Sequence, residues 1–164
     1  MKTLLILRHA KSSWKEPLLA DHDRPLNKRG KQDAPRVGQF LQEHGLVPDR
    51  IISSTAKRAR KTAQAVAKAS GYDGKVKLTA AFFHAGPAAY IATLRDVSDD
   101  YRRVMVVGHN PGLEELVAEV TGLAELMPTA AVAHISLPIE QWKDLADGVK
   151  GELVNLWRPK ELAQ

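Results

Sequence analysis

The 164-residue sequence contains no cysteine, which excludes disulfide bonds, thiolate metal ligands and a cysteine nucleophile. Long apolar segments are also missing, and nothing approaches the roughly 20 apolar residues of a membrane-spanning helix. The apolar run near the N-terminus is too short for a signal peptide. We therefore expect a cytoplasmic protein whose partners do not include the membrane and whose chemistry does not use sulfur.

Aromatic residues are scarce, at 5% of the chain, and the basic residues behind the formal charge of +5 are spread along the sequence. The base-stacking arrays and arginine-rich tails of many nucleic-acid-binding proteins are therefore absent. The positive charge still favours acidic or phosphorylated partners. We expect no nucleic-acid partner, although a non-catalytic basic module that binds phosphoprotein or nucleic acid remains an alternative.

Three common catalytic motifs are absent as well. The sequence has no G-x-x-x-x-G-K-[ST] loop, no G-x-G-x-x-G dinucleotide turn and no G-x-S-x-G nucleophile elbow. Nucleotide hydrolysis by a P-loop, Rossmann-type redox chemistry and the common serine esterase mechanism are therefore not supported.

The chain does contain apolar, β-branched-rich runs that alternate with helical patterns. This alternation predicts one α/β domain over residues 1–164, in which helices flank a mostly parallel central sheet in three layers. The proline at position 35 either kinks a longer helix or marks a later helix start. The predicted strands cover 3–7, 50–53, 76–78, 103–107, 132–137 and 152–157, and the predicted helices cover 32–44, 56–70, 87–97, 113–120 and 138–146.

Two histidines follow aliphatic runs in matching positions. Residues 4–7 precede Arg8 and His9, and residues 104–107 precede a glycine and then His109. Ligands of open α/β sheets bind beyond the carboxyl ends of the strands, so the two histidines could face each other across one pocket. The alternative is that each histidine only hydrogen-bonds a backbone carbonyl at a strand end.

A cluster of cations opens the helix that follows the predicted strand 50–53. Lys57, Arg58, Arg60 and Lys61 lie in its first turns, where positive charge opposes the helix macrodipole. An anion bound there would reverse the sign of that interaction, and a guanidinium beside helix amides suits phosphate. We expect Arg58 to reach a ligand and Arg60 and Lys61 to form a solvated face.

The stretch Asp21, His22, Asp23 and Arg24 contains residue types that bind metals. Adjacent residues on a loop rarely converge on one ion, and no second cluster completes a ligand set. We expect a surface loop without a metal, from which Arg24 reaches the pocket.

Taken together, these motifs resemble the histidine phosphatase superfamily, also called the phosphoglycerate mutase-like group. The resemblance rests on three motifs, which are Arg8-His9 after the first strand, Ser53-Ser54 followed by Arg58-Ala59 and Thr62-Ala63, and Gly108-His109-Asn110-Pro111. The short chain and the "RPLN" segment at 24–27 resemble the small SixA-type phosphohistidine phosphatases.

The resemblance implies a phosphoglycerate mutase-like fold and a metal-independent phosphatase without cofactors. It makes His9 the nucleophile that becomes a phosphohistidine, and it assigns the binding of the phosphoryl oxygens to Arg8, Arg58 and His109. Arg24 and Asn110 are expected to contribute to substrate binding. Guanidinium groups suit this chemistry because phosphoryl transfer depends mainly on positioning and on cations around the equatorial oxygens.

The sequence departs from the family pattern at two places. Ala10 replaces the usual glycine, and we expect its methyl group to narrow the pocket floor slightly. Many members place a carboxylate after the third strand, but residues 78–86 contain none, and His84 is either a substitute proton donor or a packing residue.

The missing acid favours a phosphohistidine substrate carried by a protein, because an imidazole can leave already protonated. The alternatives are a small-molecule phosphomonoesterase or mutase of the same superfamily, and the non-catalytic binding module.

Overall fold

A computed structural model describes residues 1–146 and 148–162. Its six strands form one sheet in the order β3-β2-β4-β1-β5-β6. Four neighbouring strands, from β3 to β1, pair in parallel, whereas β5 pairs antiparallel with both β1 and β6. The expected mostly parallel sheet is confirmed. The strands are β1 (Lys2–Arg8), β2 (Arg50–Ser54), β3 (Lys77–Thr79), β4 (Arg103–Gly108), β5 (Val132–Leu137) and β6 (Glu152–Trp157).

Helices cover both faces of the sheet, which gives the three expected layers. The four aliphatic residues of β1 show why, because Leu4 and Ile6 pack into one core and Leu5 and Leu7 into the other. A strand buried on both faces needs this continuous apolar run rather than alternation. Helices α1 (Lys28–Glu43), α2 (Lys57–Ser70) and α5 (Pro159–Leu162) lie on one face, and α3 (Pro87–Arg95) and α4 (Gly112–Thr121) lie on the other.

Helix α1 is continuous through Pro35, so its start is at Lys28 and not later. The side chain of Asn27 caps it by accepting a hydrogen bond from Gly30 N at 2.9 Å. Helices α1 and α2 approach closely at Gly38, where a Cβ atom would stand 2.7 Å from the Cβ of Ala69. The small residue is therefore required for this helix contact.

The predicted helix at 138–146 is wrong. Only a 3-10 turn at Trp142–Asp144 forms there. Ile139, Trp142 and Leu145 are all buried at three-residue spacing, and the indole of Trp142 donates a hydrogen bond to the Tyr101 carbonyl at 2.7 Å. These tertiary contacts fix an irregular segment in place of the α-helix that Pro138 and the apolar pattern had indicated.

Within residues 1–146 and 148–162, no helix is long and apolar enough to cross a membrane.

Candidate active site

The carboxyl ends of β1, β2 and β4 meet at a cleft of about 310 Å³. The parallel register between β1 and β4 sets Arg8 opposite Gly108, so the residues that follow both strands emerge side by side. The cleft contains every predicted site residue except His84, which lines an adjoining pocket. Its lining residues are Arg8, His9, Lys11, Ser12, Trp14, Arg24, Arg58, His109, Asn110 and Thr129.

His9 is 6% exposed and its ring orientation is fixed by its own backbone neighbour. Nδ1 lies 2.7 Å from the carbonyl oxygen of Ala10, which can only accept, so Nδ1 carries the proton and donates it. The neutral ring therefore has its lone pair on Nε2. Burial, together with the guanidinium groups of Arg58, Arg8 and Arg24, lowers the pKa of His9 to about 4. The imidazole is thus neutral at neutral pH, and its Nε2 lone pair is available as a nucleophile.

His109 lies beside His9, with 5.3 Å between the ring centroids and 52° between the ring planes. Its Nε2 lies 2.8 Å from Ser54 Oγ, and its backbone N–H donates to the hydroxyl oxygen of Tyr90 at 3.3 Å. Burial and the neighbouring His9 lower the pKa of His109 to about 3. The two histidines therefore face each other across one site, as the matching strand ends predict, and both are neutral.

Asp21 joins two of the arginines. Arg58 donates to the Asp21 backbone oxygen at 2.6 Å and to its carboxylate at 3.0 Å, and Arg24 donates to the other carboxylate oxygen at 2.8 Å. These hydrogen bonds, first that of Arg24, lower the pKa of Asp21, so the group remains a carboxylate. The third guanidinium, that of Arg8, donates to the Met127 carbonyl at 3.1 Å.

The loop at 21–24 therefore does more than cover the surface. Arg24 reaches the cleft as expected, but Asp21 was not anticipated as a member of the site. The sequence signal for its role was its position three residues before Arg24, a spacing at which the two side chains can form an ion pair. His22 contacts Thr55, with 2.9 Å between Nε2 and Oγ1. Within residues 1–146 and 148–162, no group of three or more His, Asp or Glu side chains could hold a metal ion.

Asn110 lines the cleft, but its side chain is bound within the loop after β4. Its amide nitrogen donates to the Met127 carbonyl at 2.9 Å, and its amide oxygen accepts a hydrogen bond from Glu114 N at 3.3 Å. Asn110 therefore links the start of α4 to the loop that holds Arg8. These hydrogen bonds hold the loop around Met127, and with it Arg8, at the side of the cleft.

His84 lies in a second pocket of about 430 Å³ that shares Arg58, His109 and Asn110 with the cleft. Its ring packs against Phe83 at a centroid distance of 4.0 Å, and the side chain is exposed. The same pocket is lined by Glu115 from the first turn of α4. Glu115, six residues after His109, therefore brings a carboxylate to this adjoining pocket from α4.

The expected narrowing of the pocket by Ala10 is not observed. Ala10 is fully buried, and its methyl group packs into the core beneath α1 and α2 rather than lining the cleft. Its backbone N–H donates to Thr62 Oγ1 at 2.9 Å, and the same hydroxyl donates to the Arg58 carbonyl at 2.7 Å. Thr62 therefore ties the loop after β1 to the start of α2.

Comparisons with known proteins identify the family. The family model described as histidine phosphatase superfamily (branch 1) matches residues 4–82. An uncharacterized chloroplastic protein of Arabidopsis thaliana is 32% identical over 152 residues, which cover 87% of this chain and 70% of that protein. An uncharacterized protein of Mycobacterium tuberculosis is 31% identical, with 87% and 93% covered. This chain belongs to the histidine phosphatase superfamily.

Solved structures agree with this assignment to the histidine phosphatase superfamily. A candidate phosphohistidine phosphatase SixA from Agrobacterium tumefaciens is 28% identical and superposes with a TM-score of 0.80. The match covers 96% of this chain and 98% of the other. The two chains therefore share the same fold over nearly all of the residues compared.

Proposed function

We propose that this member of the histidine phosphatase superfamily is a phosphatase that removes the phosphoryl group from phosphohistidine on a protein substrate. The observation that carries the proposal is the state of His9. Its Nδ1–H is held by Ala10, its Nε2 has a free lone pair, and its pKa of about 4 keeps it neutral beside three arginines. A fixed neutral nucleophile among cations suits attack on a phosphoryl group.

The reaction takes place in two steps. Nε2 of His9 forms a bond to phosphorus while the P–N bond to the substrate imidazole breaks, and the leaving imidazole retains or takes up a proton. Water then attacks the phosphohistidine on His9, which releases inorganic phosphate and returns His9 to its neutral form. The Nδ1–H bond to the Ala10 carbonyl stabilises the positive charge of the phosphorylated ring in between.

The oxygens of the transferred group are bound by Arg8, Arg58 and His109. The Nε atom of Arg8 and Nδ1 of His109 are buried and have no hydrogen-bond partner within the described residues. Buried polar groups normally have a partner, so orphaned nitrogens at a cleft favour a site that an anionic substrate completes. Arg58 exchanges part of its contact with Asp21 for the substrate oxygens.

The acids near the cleft favour a leaving group that needs no external proton. Asp21 is held as a carboxylate by two arginines and cannot donate a proton. His84 and Glu115 line the adjoining pocket and are the candidates for protonating an alkoxide. A phosphohistidine leaving group does not require them, because its imidazole leaves protonated. The overall likeness to a SixA candidate of the same size supports this substrate class.

A comparison of substrates tests the proposal. Turnover is measured at equal concentrations on a phosphohistidine-bearing protein, a free phosphoramidate, and sugar or glycerate phosphates. The proposal predicts preference for the two P–N substrates. Efficient hydrolysis of sugar phosphates that persists in His84→Ala would contradict it, and phosphoryl transfer between glycerate hydroxyls would indicate a mutase. Phosphoprotein binding without phosphate release, unchanged in His9→Asn, would indicate a non-catalytic module.

A further inference from the structure

A groove of about 510 Å³ lies behind one wall of the catalytic cleft. Two chain segments form this wall, joined by the Ser12–Leu26 bridge and by a hydrogen bond from Ser13 N to the Pro25 carbonyl at 2.8 Å. Ser12 and Trp14 line the cleft, whereas Ser13 and Lys15 line the groove. The docking groove, as we name it, is lined by Ser13, Lys15, Glu16, Leu19, Pro25, Leu26, Asn27, Lys28, Lys31 and Gln32.

The docking groove is basic. Lys15, Lys28 and Lys31 are exposed, and none of them forms an ion pair within residues 1–146 and 148–162. Lys28 and Lys31 lie in the first turn of α1, which carries no acidic residue. Cations at a helix N-terminus oppose the macrodipole, so helix stability does not explain them. An acidic partner would make the same positions favourable.

Exposed apolar side chains lie on the same chain segment as Lys15. Trp14 is 75% exposed and Leu18 is 98% exposed, while Leu19 lines the groove. The Trp14 ring stacks on the guanidinium of Arg24, with 3.2 Å from Cζ to the ring centroid. Trp14 is therefore held in place although its outer face is open to solvent. Rigid exposed aromatic groups are the residues that most often anchor protein interfaces.

We propose that the docking groove, together with the exposed Trp14 and Leu18 of the neighbouring chain segment, binds the acidic face of the protein that carries the phosphohistidine. This inference rests on the proposed function. His9 is only 6% exposed at the bottom of the cleft, so a histidine on a folded partner reaches it only if the partner's surface presses on the surrounding wall. The lysines of the docking groove and the exposed apolar groups of residues 14–19 then meet the partner's surface around the phosphorylated histidine.

The test separates docking from chemistry. The variant Lys15→Glu/Lys28→Glu/Lys31→Glu is assayed at physiological salt on a phosphohistidine-bearing protein with an acidic surface and on free phosphoramidate. We expect KM for the phosphoprotein to rise about ten-fold or more through lost electrostatic attraction, with unchanged turnover of phosphoramidate. Leu18→Ser should raise the same KM without affecting phosphoramidate, because Leu18 makes no contribution to the core.

The matched control is Lys68→Glu/Lys75→Glu/Lys143→Glu. It changes the net charge equally through exposed lysines that line neither the cleft nor the groove. Equal KM increases in both triple variants, or no increase in the groove variant, would overturn the docking proposal and leave the proposed function standing. Binding of single-stranded RNA to the groove that leaves phosphoprotein turnover unaltered would also overturn it. Failure of the wild type to release phosphate from the phosphoprotein would overturn the proposed function itself.

Discussion

Arg58 donates two hydrogen bonds to Asp21, one to its backbone oxygen at 2.6 Å and one to its carboxylate at 3.0 Å. The carboxylate also accepts from Arg24 at 2.8 Å. A single acidic residue thus sets the direction of two cations at the cleft. Asp21 is therefore a positioning residue in the proposed function, in which Arg58 and Arg24 are the groups expected to contact the substrate.

Replacing Asp21 with alanine should lower kcat/KM about ten-fold on a phosphoramidate, a smaller loss than removal of an oxyanion donor causes. The loss is partial because the backbone oxygen of Asp21 remains available to Arg58. Steady-state kinetics of Asp21→Ala and of Asp23→Ala measure the difference. Asp23 is the control, since the one polar partner of its carboxylate among the described residues is His22, at 3.5 Å from His22 Nδ1 to Asp23 Oδ1. Equal effects of both variants would remove the positioning role.

Arg58 and Arg60 form a second matched pair on α2. Arg58 is 6% exposed in the cleft, whereas Arg60 lies outside it. Arg58→Ala should lose about 2.7–4 kcal/mol of transition-state stabilisation, the scale for one oxyanion donor, and Arg60→Ala should stay near wild type. The ratio of kcat/KM values measures this loss. A similar small loss in both variants would show that Arg58 does not contact the reacting group.

Proton donation can be assigned by changing the leaving group. His84→Ala should reduce kcat/KM more on an aryl or alkyl phosphate ester than on phosphohistidine, because only the ester requires an external acid. Glu115→Gln should show the same pattern if the carboxylate shares this role. Glu119→Gln, one turn further along α4 and also exposed, is the control. Equal losses on both substrate classes would assign His84 to packing against Phe83.

Acid should destabilise the folded protein through the histidine pair. An unfolded histidine titrates near 6.5, whereas His9 and His109 have folded pKa values of about 4 and 3. The unfolded chain therefore binds protons first as the pH falls, which lowers the free energy of unfolding. The free energy of unfolding is highest above pH 6.5 and decreases progressively as the pH falls toward the folded pKa values. For His9 alone the loss between pH 7.5 and 4.5 is roughly 2–3 kcal/mol.

Urea unfolding across that pH range measures this effect. His9→Asn keeps a donor for the Ala10 carbonyl but does not titrate, so its free energy of unfolding should fall less steeply with acid than that of the wild type. Parallel pH profiles for the two proteins would show that His9 is not held neutral by the fold.

Much of this molecule was predictable from local sequence patterns. The pattern of an aliphatic run followed by a histidine predicted that His9 and His109 lie at one edge of the sheet, because parallel strands align their carboxyl ends. The helix predicted at 138–146 failed because Trp142 is anchored by distant partners, which local spacing does not encode. Pro35 was ambiguous for the same reason, as packing of α1 on α2 overrides one missing hydrogen bond.

The side-chain network of the site was less predictable. Asp21 is 37 residues from Arg58, and only the folded chain joins them. The place of Glu115 in the adjoining pocket was not predicted, because it lies on α4 and not in the segment after β3 where many family members carry their acid. The methyl group of Ala10 was expected in the pocket, but the direction of a side chain at a strand exit depends on the tertiary path. Sequence motifs therefore predicted which nitrogen groups gather, but not how their carboxylate partners are arranged.

The most direct test of the account is to trap the phosphorylated enzyme. The protein is mixed briefly with a phosphoramidate labelled on phosphorus, quenched under denaturing conditions, and analysed for label on the chain. The account predicts one phosphoryl group on His9 that is acid-labile and alkali-stable, present in wild type and absent in His9→Ala. Label that persists in His9→Ala, or a modification stable to acid, would contradict the proposed mechanism.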